Sequence, residues 1–213
     1  MMRARVIVGS VAIALLTACG ENPQTGQVTD PELYSPPIAR KPALEIPSEP
    51  RTLEPMEVAG VAMAPREYYE GKLRILLPKA AREIAVQPSM RGPDSKGPDF
   101  AGTTPGNDLM FAIGLTGIPQ LASRVDDEFG YVTGQIESSY PPGAVIRKEL
   151  VAQDGRHWIH MEIKSDRHVF IAMTSLKQEW LRIEAILGPN ADSRWTEVVR
   201  KMLENTVTAD GHY

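Results

Sequence analysis

Nine prolines fall between Gly20 and Glu70, from Pro23 to Pro65, in a stretch with almost no apolar periodicity. Proline fixes φ and removes an amide donor, so chain this dense in it is a poor source of sheet ladders or a long helix. The stretch therefore reads as a semi-extended tether, stiffer than a Gly/Ser linker. At ~3 Å per residue, thirty such residues span on the order of 90 Å at full extension. The sequence divides accordingly into residues 1–18, a tether over 19–65 and an α/β binding domain over 66–213. A short piece at 57–63 is the part of the tether most suited to lie on the domain as an edge strand.

The segment before the tether is built for export. Arg3 and Arg5 precede an apolar run from Val6 to Leu16, which is shorter than the ~20 apolar residues a helix needs to cross a bilayer. Leu16-Thr17-Ala18-Cys19 resembles the lipobox of bacterial lipoproteins, with small residues before the only cysteine of the chain. That resemblance implies a signal peptide over 1–18, diacylglycerol on the Cys19 thiol, palmitate on the new N-terminus and anchoring in a membrane facing the periplasm. Gly20 stands where an aspartate commonly retains such proteins at the inner membrane, which points to the outer membrane. A single cysteine also excludes an intrachain disulfide.

Cleavage before Cys19 removes two of 23 basic residues and none of 27 acidic ones, leaving 21 against 27 and a formal charge of -6. No basic tract is present to neutralise a row of phosphates, so nucleic acid is excluded as the partner.

In the domain, residues 72–78 read as a first strand with Leu73, Ile75 and Leu77 on one face, and 81–86 as its return with Ile84 and Val86 inward. Residues 88–107 form a turn-rich insertion. Its Asp94 and Asp99, with Asp108 just beyond, miss the spacing of a calcium loop, and no metal or cofactor is assigned. Residues 109–115 read as a buried strand. Leu121, Val125, Phe129, Val132 and Ile136 then space as one helical stripe. Pro119 suits its first turn, Gly130 and Gly134 weaken its second half, and Asp126, Asp127 and Glu128 point outward. Strands follow at 145–151, 157–164 and 169–174, the first two joined at Asp154-Gly155. Residues 180–187 fit a strand, with a helix as the competing reading. A helix capped by Asp192 or Ser193 buries Trp195, Val198, Val199, Met202 and Leu203, with Val207 extending the stripe.

This order, with Gly71-Lys72-Leu73-Arg74-Ile75-Leu76-Leu77-Pro78 near its start and Ser193-Arg194-Trp195-Thr196-Glu197-Val198-Val199-Arg200-Lys201-Met202-Leu203 near its end, resembles the Mog1/PsbP-like group. The resemblance implies an antiparallel sheet packed by helices and a binding or assembly role. Some members of that group are lipoproteins that protect a bacterium from toxins delivered by type VI secretion.

Chemistry-bearing residues are sparse. His160 and Glu162 share a strand face with Trp158, a conceivable acid–base pair that His168 approaches if the strands register. The blander reading makes them polar residues on the open face of a sheet. Gly-x-Ser-x-Gly, HExxH and a phosphate-binding glycine loop are all missing. The chain is thus read as a binding protein and not an enzyme. The leading expectation is an immunity protein whose acidic residues Asp94, Asp99, Asp126, Asp127 and Glu128 meet the basic rim of a secreted toxin. An envelope assembly lipoprotein with a resident partner is the alternative, and a hydrolase using His160 and Glu162 the lesser one.

Overall fold

A computed structural model describes residues 51–86 and 97–209. Cys19, Asp94 and the tether before residue 51 lie outside the described residues.

The alternating sequence from Val145 onward folds as an antiparallel meander of β7 (Val145–Gln153), β8 (Arg156–Lys164), β9 (His168–Leu176) and β10 (Glu179–Leu187). Asp154 and Gly155, at φ +49° and +74°, make the two-residue turn whose twist suits a hairpin, so Gln153 faces Arg156. Lys177 and Gln178, at φ +51° and +60°, turn β9 into β10 in the same hand without a glycine.

β6 (Leu109–Pro119) pairs with β10, followed by β5 (Phe100–Thr103) and β4 (Arg82–Ile84). The seven strands run in the order β4-β5-β6-β10-β9-β8-β7, every pair antiparallel. A second antiparallel sheet orders β1 (Met56–Val58), β2 (Val61–Tyr68), β3 (Leu73–Pro78) and β11 (Val207–Thr208).

Each face of the large sheet has its own cover. On one, Leu109, Phe111, Ile113, Trp158, Phe170, Leu181 and Ile183 form a core with Leu73, Ile75 and Leu77 of β3. The same core takes the buried stripe of α2 (Arg194–Glu204), which is Trp195, Val198, Val199, Met202 and Leu203. On the other, Ile159, Met161, Ile163, Ile171 and Trp180 pack beneath Val125 and the apolar side of α1 (Phe129–Glu137). At about 1.5–3 kcal/mol per fully buried large aliphatic side chain, these two layers are the main stabilising term. Double cover is why β8 and β9 are buried at nearly every position.

Among the described residues the expected α/β fold class holds as antiparallel sheets with two helices, but they are richer in sheet than a helix-packed description implies. The folded part also begins earlier than residue 66. Leu53 is buried, and β1 with the start of β2 covers the piece at 57–63 expected to lie on the domain as an edge strand. Pro65 is tolerated in β2 because β1 pairs only with residues 61–63, so no ladder partner stands on that side of it.

Residues 81–86 do not return beside β3. The chain turns at Pro78, whose carbonyl accepts the Ala81 amide, while Arg66 binds the Ala81 carbonyl. β4 then joins the other sheet, and Ile84 is exposed. The stripe from Leu121 is not one helix either. Pro119 ends β6, residues 122–124 make a single tight turn, and α1 occupies only the half that holds Gly130 and Gly134. Val125, Phe129, Val132 and Ile136 still face the core, whereas Leu121 is exposed. Val207 belongs to β11, paired with Arg74, and does not extend α2.

Candidate functional site

Alternation along β8 places Trp158, His160 and Glu162 on one face, and that face is not open. It lies toward α2, and Glu162 is only 3% exposed. A carboxylate so deep needs partners to stay charged. Arg200 of α2 supplies a fork, with Nη2 donating to both oxygens at 2.9 and 2.8 Å and Nε to Oε2 at 3.1 Å. Register sets Glu162 opposite Phe170 and Lys164 opposite His168. His168 tilts over the Phe170 ring, centroids 4.5 Å apart, and brings Nε2 to 2.8 Å from Glu162 Oε1. Burial pushes the Glu162 carboxyl up, but the bonds from Arg200 and His168 outweigh it and hold the group below its usual range. Glu162 therefore meets His168 and Arg200, not His160.

His160 stands apart from this pair. It is 8% exposed, its ring lies 6.3 Å from that of Trp158, and its buried Nε2 has no protein partner. Burial lowers its pKa to about 4, so it is neutral near pH 7. It lines a small, open cleft between β7–β8 and the C-terminal half of α2. Arg147, Arg200 and Glu204 bring charge to that cleft, and Phe170 and Leu203 its apolar wall.

By its charge alone Arg200 belongs on the wet side of α2, and its side chain is 44% exposed. It borders the buried stripe, between Val199 and Leu203, where a long side chain reaches inward while part of it stays wet. That border position is the signal available in the sequence. For Arg147 the signal is the hairpin itself, because a two-residue turn at Asp154-Gly155 pairs Gln153 with Arg156 and sets Arg147 opposite Glu162.

The acidic residues chosen for exposure and sign divide. Asp99 is half-buried, accepting the Tyr69 hydroxyl at 2.7 Å and the Leu115 amide at 3.0 Å. Its role is to tie the two sheets together. Asp126 does not point outward. Its side chain is 9% exposed, with a carboxylate oxygen 3.9 Å from His157 Nδ1. Asp127 is exposed, and Glu128 is partly exposed with Arg124 at 3.5 Å. Asp126 to Glu128 adjoin in the chain, whereas Asp99 sits across the sheet system beside Tyr69. The four described residues thus form no single acidic patch.

Larger apolar side chains at the surface include Ile118, Leu121 and Tyr131, exposed by 54%, 45% and 65%, on the segment that crosses from β6 to α1. Among the described residues there is no group of three or more His, Cys, Asp or Glu placed to hold a metal ion. No helix among them is long and apolar enough to cross a membrane.

No protein-family model matches the chain, and no curated protein matches it in sequence. The solved structures similar in shape include the following three. Cyanobacterial PsbP (CyanoP) from Synechocystis sp. PCC 6803 has a TM-score of 0.48 at 13% identity, over 69% of this chain and 92% of that one. The Ran-binding protein Mog1p of Saccharomyces cerevisiae has a TM-score of 0.41 at 9% identity, over 68% and 95%. A protein from Bacteroides thetaiotaomicron has a TM-score of 0.40 at 11% identity, over 70% of this chain and 49% of its own. At these scores and identities the likenesses assign neither a family nor a function.

Proposed function

We propose that the chain is a lipid-anchored binding protein of the cell envelope, held at a membrane by acylated Cys19, which neutralises a secreted toxin by direct binding. The observation that carries the reading is Leu16-Thr17-Ala18-Cys19, set behind a basic and then apolar segment and ending in the only cysteine of the chain. Two or three acyl chains, at roughly 0.8 kcal/mol per buried methylene, hold a small domain firmly at a bilayer. The fate of Glu162 favours binding over hydrolysis, because its oxygens are committed to Arg200 and His168. The exposed Ile118, Leu121 and Tyr131 are the kind of surface a protein partner covers.

The test is metabolic labelling with a palmitate analogue, followed by capture of partners from the host envelope on the full chain. Labelling lost in Cys19→Ser and one-to-one capture of a secreted toxin, with loss of that toxin's activity, are the expected results. Protein that carries no acyl chain and fractionates away from membranes ends the anchored reading. An acylated protein whose stoichiometric partner is a resident envelope component has the assembly role instead.

A further inference from the structure

We propose that the cleft between β7–β8 and the C-terminal half of α2 receives a carboxylate group, held by Arg147 and Arg200 at its rim and by the His160 Nε2 within. The carboxylates around the cleft are already matched. Glu162 is bound by Arg200 and His168, Glu149 by Nη2 of Arg147, and Glu204 by the Lys201 amine at 2.7 Å. Each carboxylate at the site has its cation. The donors do not come out even. Glu162 occupies Nε and Nη2 of Arg200 and leaves Nη1, while Glu149 meets Arg147 at Nη2.

Both arginine side chains are partly exposed, at 44% and 43%, so they stand at the mouth of the cleft and not in the core. Behind them the His160 Nε2 is buried against no protein partner. A planar acid fits such a set because its two oxygens take N–H groups from different directions. Phe170 and Leu203 form the wall, and their low polarity strengthens each charged contact made beside them.

The same chemistry has two sources, a small free carboxylate or an aspartate or glutamate side chain of a protein partner. The site goes beyond the tethered binding role and stands on residues 147–204 alone, whether or not Cys19 is acylated.

The test follows the imidazole signals of the full chain by NMR, with His160 assigned through His160→Gln. Sodium acetate and a capped tripeptide with a central glutamate are titrated separately, each against sodium chloride at equal ionic strength. A saturable shift of the His160 signals with acetate or the peptide, and none with chloride, is expected. Arg147→Gln should weaken that response about tenfold, the loss of one charge-assisted hydrogen bond. Lys148→Gln, whose parent amine is bound to Glu137 of α1, should leave it unchanged. Tighter binding of the peptide identifies a partner's side chain as the source, and acetate binding as tightly or more so identifies a small free acid. If neither probe gives a saturable shift, or if Arg147→Gln responds as the parent does, the proposal is overturned.

Discussion

The ring of Phe111 lies so close over Gly102 that a Cβ built on residue 102 would sit 2.3 Å from its Cζ, with the Arg82 carbonyl 2.7 Å away on the other side. Gly102 is opposite Phe111 in the β5–β6 ladder and opposite Glu83 in the β4–β5 ladder. A missing side chain is what lets Phe111 enter the core that Leu73 and α2 complete. Gly102→Ala must displace either a core ring or strand backbone. Overpacking of this kind costs about 1–3 kcal/mol, so urea unfolding should show a lower midpoint with an unchanged slope. An unaltered midpoint would mean that β5 yields freely and does not register the core.

Gly134 poses the opposite case. It lies within α1, is exposed, and has nothing within 4 Å of an ideal Cβ. Gly134→Ala should therefore stabilise the protein by about 0.5–1 kcal/mol through helix propensity alone. The same denaturation experiment checks it, and a loss of stability would show that α1 depends on the bare backbone at this position.

These two glycines mark where the sequence could be read and where it could not. Strands β8 to β10 and helix α2 were legible because their apolar residues recur at two, or at three and four, and because Asp154-Gly155 names its own turn. The start of α1 was not. Leu121 to Ile136 carries a helical period, yet Pro119 is committed to β6 and the turn at 122–124 precedes the helix. Glycines argued against the half that does form, because propensity is outweighed by burial of Phe129, Val132 and Ile136. β5 was hidden inside a glycine- and proline-rich run, where Gly102 looks like a turn residue until Phe111 is known to lie over it. The site was half legible. His160 and Glu162 alternate with apolar residues just as an open face would, and only the docking of α2 shows them covered.

Glu162 and Arg200 should be coupled strongly. Removing one member of a buried ion pair leaves the other uncompensated, at a cost of about 3–5 kcal/mol. Arg200 is 44% exposed while Glu162 is 3% exposed, so the loss should fall toward the low end for Arg200→Ala. The double variant Glu162→Gln, Arg200→Ala should recover part of that loss. A double-mutant cycle measures the coupling, and strictly additive effects would show that the two residues act independently.

The acid sensitivity of the same carboxylate follows from its partners. Its folded pKa lies below the unfolded 4.5, so its contribution is fully present above that value and is lost as pH falls through the lower folded one. Stability measured below pH 4.5 should thus fall less steeply in Glu162→Gln than in the parent. Equal slopes would place the acid-labile groups elsewhere.

His160 acts in a higher window. Burial lowers its pKa from 6.5 to about 4, so between those values the unfolded chain binds a proton that the folded protein refuses. Here the folded state is the one with the depressed pKa, and its relative stability is complete above 6.5 and declines as pH falls toward 4. At 1.36 kcal/mol per unit the full decline amounts to about 3 kcal/mol, an order-of-magnitude figure. His160→Gln replaces the imidazole by a polar group that does not titrate, so the variant should lose little between those two pH values even if it is less stable at neutrality. Chemical denaturation at a series of pH values separates the slope from the offset. A variant that declines as steeply as the parent would show that burial does not lower the His160 pKa in the folded protein.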